Sequence, residues 1–386
     1  MIDKNKKIQC NGCKMCKEVC PKQAITYETD KEGFWYPKVD YTKCVSCELC
    51  LKKCPNISHK ASTKNAPDVK AVWSVDDTIR LSSTSGGAFY EFAKYIIEHG
   101  GYVVGCVYSN DFKSAKQIMI HSMEELPQLM VSKYLQSDTE GIYPQVKEKL
   151  QTGAKVLFVG APCHIAALDS YLGKEYDNLI LCDFLCRGAN SPKAHRKYVE
   201  YLEEKYGARM ISLRSKDKRN GWEHFGQSAV FANGKEYFAD RQTDLRIVAY
   251  HFGNLMMRQS CNECQFKRIP RDSDITLGDF WGIKSDEVNN IDNGISLVML
   301  NSEKGKRLFE SIGDRIEYIN KTLEDAERGN VAIHTSAPKG KNRDVFLRRL
   351  DDMPFDKLVA KYREKNSLIK KIIRRIKALI KKVRDF

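Results

Sequence analysis

Cys10, Cys13, Cys16 and Cys20 precede Pro21, and Cys44, Cys47, Cys50 and Cys54 precede Pro55; each run reads C-x2-C-x2-C-x3-C-P. Thiolates at that spacing hold cubane 4Fe–4S clusters. Three cysteines two residues apart let a tight loop wrap three corners, and the fourth, before proline, reaches the other cluster. The expected ligand sets are Cys10, Cys13, Cys16 and Cys54 for one cluster and Cys20, Cys44, Cys47 and Cys50 for the second. Zinc sites pair two C-x2-C knuckles rather than triple runs. The chemistry expected is single-electron redox.

Six cysteines stand apart from these runs. Cys163 sits in GAPCH at an expected strand-to-helix turn, where free N–H groups favour a thiolate. Cys186, in LCRG, follows a strand end, where α/β sheets place ligands. Cys261 and Cys264 form a C-x2-C pair before a basic loop. These four could assemble one more cluster; a zinc site, or no metal, is the alternative for the lone pair. Cys182, inside LILCDF, is the rival to Cys186 as a ligand and otherwise reads as a buried cysteine, as does Cys106 in YVVGCVY.

Periodicity outlines the elements that must hold these groups. Residues 1–60 form a small two-cluster module with a hairpin turning at Gly33, and 61–70 (ASTKNAPDVK) reads as a polar linker. From Ala71 strands alternate with helices: AVWSV, then a helix over 88–99 ended by Gly100 and Gly101, then a buried strand over 102–108. A strand over 155–159 runs through Gly160 and Pro162 into a helix over 164–172. Another strand over 178–182 precedes a helix over 191–206. Beyond Ile211 the segments are shorter and more β-like, and helices resume at Ser302. The expected fold is α/β, a mixed α+β catalytic domain with a partly parallel covered sheet, behind a ferredoxin-like α+β module. Its expected parts are 71–150, 151–355 and a basic tail over 356–386.

The 386 residues are 42% hydrophobic and 30% charged, an ordinary soluble composition. The start, MIDKNKKIQC, has no apolar signal core, and no stretch reaches the ~18 consecutive apolar residues of a membrane span. Fourteen cysteines without an export signal point to a reducing, cytoplasmic compartment. The net charge of +14 is uneven: residues 366–386 hold eight Lys/Arg and one Asp. There Leu368, Ile369, Ile372, Ile373, Ile376, Leu379, Ile380 and Val383 recur at helical spacing between the basic residues, after a cap at Asn366 or Ser367. Such a helix suits an anionic membrane surface, which would put the protein at the inner face of the membrane; the alternative is packing on its own domain with a solvated basic face. No nucleic-acid motif accompanies the charge. Residues 1–60 hold twelve Lys against seven Asp/Glu, which favours an acidic donor such as a ferredoxin or flavodoxin.

The stretches STSGGAF (83–89), SKYLQS (132–137), KVLFVGAPCHIAAL (155–168), CRGANSPK (186–193) and CNECQFKRIPRDSDITLGDFWG (261–282) resemble the coenzyme F420 hydrogenase/dehydrogenase beta-subunit family, over about 71–302. The resemblance implies an FAD in the α/β domain and a third 4Fe–4S cluster beside it, held by Cys163, Cys186, Cys261 and Cys264. It also implies a flavin loop at Ser85, Gly86 and Gly87, pocket residues Lys133, Tyr134 and Ser137, and Asp279 at a ligand-facing strand end. Paired glycines do permit close backbone approach, although a Gly-rich helix start reads the same way; Lys133 could be a solvated lysine and Asp279 a turn former. His164 reads as local packing rather than a proton donor. Arg187 departs from the family's usual His after the cysteine, and its guanidinium suits an anionic substrate or flavin phosphate.

The expected function is an FAD-dependent iron–sulfur oxidoreductase: a low-potential ferredoxin-like donor feeds the clusters, and FAD, which takes electrons singly and delivers a pair, reduces a small organic substrate. Family members associated with polysaccharide gene clusters suggest polysaccharide or lipid-linked sugar metabolism. Two alternatives stay open: a deazaflavin- or NAD(P)H-oxidising subunit of a larger complex, and a non-enzymatic electron-transfer adaptor. No GxGxxG follows a strand, which lowers nicotinamide binding at a Rossmann site. No catalytic residue is assigned.

Overall fold

In the computed structural model, which describes residues 1–58, 62 and 66–363, the two cysteine runs fold alike. Each curls into one helical turn, Met15–Glu18 and Leu49–Lys52, reached through a left-handed residue, Lys14 (φ 57°) and Glu48 (φ 61°). That reversal bends the loop back on itself. Between the runs, β1 (Ile25–Thr29) and β2 (Trp35–Val39) pair antiparallel, with Ile25 opposite Val39. The turn needs Gly33, at φ +87°, because a Cβ there would lie 2.2 Å from the Cβ of Lys193. The hairpin tip thus rests on helix Pro192–Tyr206.

Eight strands form the main sheet: β3 (Asp68–Ser74), β4 (Tyr102–Tyr108), β5 (Ala115–Ile120), β6 (Val156–Gly160), β7 (Leu179–Phe184), β11 (Ile275–Asp279), β12 (Ser296–Leu300) and β13 (Ile316–Lys321), in the order β13-β3-β12-β11-β7-β6-β4-β5. The centre, β4-β6-β7-β11, is parallel and both flanks are antiparallel. Central parallel strands are buried on both faces, and period-two alternation sorts them. Val103, Leu157, Ile180 and Cys182 pack with helix Ala88–Glu98; Val104, Phe158 and Leu181 pack with helices Ile142–Gln151 and Pro162–Leu172. A second, antiparallel sheet joins β8 (Met210–Asp217), β9 (Gly226–Phe231) and β10 (Glu236–Asp240), the short β-like segments expected beyond Ile211.

Three expected boundaries shift. β3 begins at Asp68, so residues 68–70 are sheet rather than linker: Val69 is core, and Lys70 donates to Asn320 Oδ1 at 2.7 Å. The expected halves 71–150 and 151–355 share one sheet, because β4 pairs with β6 and β3 with β12. Residues 356–362 are not tail: helix Phe355–Tyr362 buries Phe355, Leu358 and Val359, with the Phe355 and Tyr198 rings 5.7 Å apart. The basic amphipathic stretch 366–386 lies outside the described residues. Among those described, no helix is long and apolar enough to cross a membrane.

Candidate functional site

The first eight cysteines fall into two neighbourhoods. Burial pushes the Cys13 thiol up to about 12, and Cys54 and Cys10 add repulsion from beside it; Cys16 is pushed up by the same burial and by Cys13, Cys10 and Cys54. Cys20, Cys44, Cys47 and Cys50 line one small cavity together. Thiols raised by burial, as those of Cys13 and Cys16 are, ionise readily only beside positive charge, which an iron cluster supplies. Among the described residues no three His, Cys, Asp or Glu side chains converge on a single ion.

The inner set is locked against the α/β domain. Thr139 Oγ1 and Tyr143 Oη donate to the Cys13 carbonyl at 2.7 and 3.0 Å. Arg258, fully buried, donates to the carbonyls of Cys10 (2.7 Å) and Trp35 (3.0 Å) and to Gln136 Oε1 (2.9 Å), while lying over the Tyr36 ring. Lys53 and Ser170 exchange hydrogen bonds with each other's carbonyls at 2.7 Å. Arg343, also fully buried, grips Glu32 at 3.1 and 2.7 Å. The outer set faces away, and Cys47 is the exposed member among the cysteines.

Cys163, Cys186, Cys261 and Cys264 come together on the wall of a cavity of about 1420 Å3, above the roughly 300–1,000 Å3 of pockets for drug-sized ligands. Cys163 starts helix Pro162–Leu172 after β6, and Cys186 follows β7. Burial pushes Cys186 up to about 12, with Cys261 adding repulsion; Cys163 is raised by burial and by Cys186, Cys264 and Cys261. Cys13 also bears on Cys163, so the inner set and this third set are neighbours. The Cys54 and Cys264 segments touch directly, since Gln265 Nε2 donates to the Pro55 carbonyl at 2.8 Å. Gly188, at φ +148°, sits where a side chain would be strained, and a Cβ there would lie 3.0 Å from Cys261 Cβ. Cys182 belongs instead to the apolar core, 1% exposed. Cys106 differs from expectation: it is partly exposed on the cavity wall, near Lys133.

The expected flavin residues divide. Ser85, Gly87, Lys133, Tyr134, Ser137 and Asp279 all line the cavity. Gly86 does not. Its Cβ would meet the Val72 carbonyl at 2.4 Å and the Ser296 nitrogen at 2.7 Å, so it serves close backbone packing onto β3 and β12 rather than ligand approach. Ser85 Oγ donates to the Ile295 carbonyl at 2.6 Å, which leaves its backbone, not its hydroxyl, as the loop's contribution. Gly87, at φ +96°, caps helix Ala88–Glu98, whose N-terminal N–H groups favour anions. Asp279 is ion-paired to Lys216 and accepts from Trp222 Nε1 at 3.1 Å, so it acts through Lys216. Lys133 donates to the Gln128 carbonyl at 2.7 Å, and burial pushes it down to about 8, with Cys106 drawing it back up. His164 lines the cavity with Nδ1 unpartnered and is pushed down to about 4 by burial. The cavity's size, its helix N-terminus and its cationic wall fit a flavin dinucleotide.

The sequence reading missed much of that wall. Lys216, on β8, and Arg241, Arg246, Tyr250 and His251 all line the cavity, and Asp279 is its only acidic side chain among the described residues. Arg246 is 2% exposed and donates to Ser215 Oγ at 2.6 Å. Burial, then Arg187, Lys216 and Arg241, push His251 down to about 4. Spacing alone gave no signal for it: Lys216 reaches the cavity from a β-bulge at φ 56°, while its alternate neighbours Arg214 and Lys218 do not line it.

Residues 153–325 match the family model for the C terminus of the coenzyme F420 hydrogenase/dehydrogenase beta subunit, and residues 9–57 match the 4Fe–4S dicluster domain. The chain is similar to NADH-quinone oxidoreductase subunit I of Pelobacter propionicus, 32% identical over 85 residues, or 19% of this chain and 46% of that protein. It is also similar to an uncharacterized ferredoxin of Methanocaldococcus jannaschii, 34% identical over 55 residues, or 14% of this chain and 66% of that one. It therefore spans about half to two thirds of the length of these relatives. A chain of the F420-reducing NiFe hydrogenase complex from Methanosarcina barkeri aligns over 77% of this chain and 91% of its own, at 16% identity and a TM-score of 0.46.

Proposed function

We propose, for a chain that joins a 4Fe–4S dicluster domain to the C-terminal domain of the coenzyme F420 hydrogenase/dehydrogenase beta-subunit family, that it is the iron–sulfur electron-transfer subunit of a larger oxidoreductase. Its cavity would exchange hydride with an organic cofactor or substrate, and its N-terminal module would exchange single electrons with a partner protein. The observation that carries the reading is the succession of the three cysteine sets, from exposed Cys47, through the set sealed at the interface by Arg258, to the set on the cavity wall.

In this reading Cys163, Cys186, Cys261 and Cys264 hold the third cluster, and FAD lies in the cavity against Ser85, Gly87, Tyr134 and Ser137. Bound there, FAD supplies the conversion between a hydride and two single electrons. The chain's own residues do the rest. Lys133, Arg241 and Arg246 would attract the anionic groups of bound molecules, and Lys216, fixed by Asp279, keeps a cation at the cavity wall. The apolar body of the cavity excludes water. Arg258 and Arg343 hold the N-terminal module in register with the third set.

A free-standing reductase fed by a ferredoxin-like donor would use the same parts. The subunit reading is preferred because residues 153–325 match a family described by a hydrogenase/dehydrogenase beta subunit. An adaptor without a flavin would have no use for a cavity of this size and polarity.

The test is anaerobic mixing of the purified full chain with reduced deazaflavin or NAD(P)H, followed by electron paramagnetic resonance. Cluster signals appearing within the flavin's reduction time support the proposal. Clusters that stay oxidised while the flavin is bleached would overturn it.

A further inference from the structure

The loop after the C-x2-C pair, residues 266–271, carries three cations, and they are not equivalent. Arg268 pairs with Asp272 at 3.1 Å, and Arg271 pairs with Asp183 at 2.7 Å, both side chains of the second pair being 2% exposed. Lys267 has no carboxylate partner among the described residues. Its ammonium donates instead to the Thr335 carbonyl at 3.2 Å, and the side chain lines the cavity with Cys163, Cys186, Cys261 and Cys264. A cation paired with a carboxylate presents little net charge to its surroundings, whereas an unpaired one keeps its full field.

The place of Lys267 follows from how this loop is strapped down. Segment 335–337 is bonded to it at three successive points: Asn262 Nδ2 donates to the Ala337 carbonyl at 2.9 Å, the Cys264 N–H to Ser336 Oγ at 3.0 Å, and Lys267 Nζ to the Thr335 carbonyl. One strap thus fixes both a cysteine of the third set and the ammonium three residues further on. Burial works against the Lys267 charge, while the thiols of Cys186, Cys264 and Cys261 favour it and Arg187 opposes it. The other nearby guanidinium groups are less selective. Arg187 is engaged by the His251 carbonyl and Asn254 Oδ1, both at 2.8 Å. Arg258 acts on Cys13 of the inner set as well as on Cys261, so it does not distinguish the two sets.

We propose that Lys267 tunes the reduction potential of the cluster held by Cys163, Cys186, Cys261 and Cys264, keeping it above the value those cysteines would give alone. Reduction adds one negative charge to a cubane that is already anionic with its four thiolates, and a fixed ammonium in a poorly solvated wall stabilises that charge. The set on the cavity wall is thereby biased toward accepting electrons there, as is needed where the pair carried by a hydride must leave one electron at a time. This rests on the third set holding a cluster, as in the preceding reading, and the test separates failure of that reading from failure of the tuning role.

The test is a redox titration of the full chain purified without oxygen, followed by electron paramagnetic resonance, with iron analysis of each sample. The midpoint that belongs to the third set is the one missing from Cys186→Ser. Lys267→Gln should keep its iron and lower that midpoint alone, cutting the reduced-to-oxidised ratio at a fixed potential about tenfold, a shift of about 59 mV for one electron. Lys267→Arg keeps the charge and should keep the wild-type midpoint. Full iron with an unmoved midpoint in Lys267→Gln overturns the proposal and leaves the third cluster standing. Loss of about four irons from Lys267→Gln also overturns it, since the lysine would then build the site rather than tune it. About eight irons in the wild type would overturn the underlying reading and this proposal with it.

Discussion

Replacing Arg258 with Met should loosen the N-terminal module from the α/β domain. The guanidinium is fully buried and makes three hydrogen bonds, to the Cys10 and Trp35 carbonyls and to Gln136 Oε1, at 2.7, 3.0 and 2.9 Å. Hydrogen bonds to a charged group contribute ~1.5–3 kcal/mol each, so the three together are worth roughly 4–9 kcal/mol. Against that, Met no longer requires burial of a charge, which returns several kcal/mol. The net expected loss is about 3 kcal/mol, or about two orders of magnitude in the docked-to-undocked ratio. Arg258→Lys keeps the charge but not the fork, and should fall between the two. Hydrogen exchange read by mass spectrometry is the assay, because opening of this interface exposes amides in residues 10–16 and 34–36. Exchange there should speed up about a hundredfold while the central strands β6 and β7 stay protected. Rates within twofold of the wild type in those peptides would refute the claim that Arg258 locks the module.

Cys186→Ser should lower iron by about four atoms per chain, and Cys182→Ser should leave iron unchanged; the opposite result in iron analysis would move the third site onto Cys182. Gly86→Ala forces a methyl to 2.4 Å from the Val72 carbonyl, and overpacking of this kind costs about 1–3 kcal/mol. A lower Tm and flavin lost on purification are expected, and an unchanged Tm would contradict the packing role. Lys133, pushed down to about 8, is charged below that pH and neutral above it. Affinity for an anionic ligand such as FAD should therefore decline as pH rises through about 8, and flavin titrations of Lys133→Met should lack that step. Deleting residues 366–386 should abolish sedimentation with anionic liposomes, whereas unchanged sedimentation would refute the expectation that this stretch suits an anionic membrane surface.

The cluster sites were the most legible part of the chain because their information is local. Two prolines and a fixed cysteine spacing define each wrap, whatever the rest of the fold does. The central strands were legible for a similar reason: YVVGCVY and VLFVG are continuous apolar runs, as buried parallel strands must be. What the sequence hid was set by distance in space. Gly86 and Gly87 look equivalent in STSGGAF, yet one packs against β3 and β12 and the other faces the cavity; only the neighbouring strands tell them apart. Asp279 looks like a free ligand until Lys216, 63 residues away, is seen to engage it. Cys106 looked like core because its strand is apolar, but Gly105 and Cys106, within β4, line the cavity. Helix Phe355–Tyr362 merged with the basic tail in sequence because Lys357, Lys361 and Arg363 lead into it, while its apolar face belongs to the core around Tyr198.

The central claim is that three cluster sites lead to one flavin-sized cavity, and its most direct test is the iron, acid-labile sulfide and flavin content of the full chain purified without oxygen. The account predicts about twelve irons, matching sulfide and one flavin per chain, as three four-iron clusters require. About eight irons and no flavin would contradict it, leaving the N-terminal clusters without the third site they are built to reach.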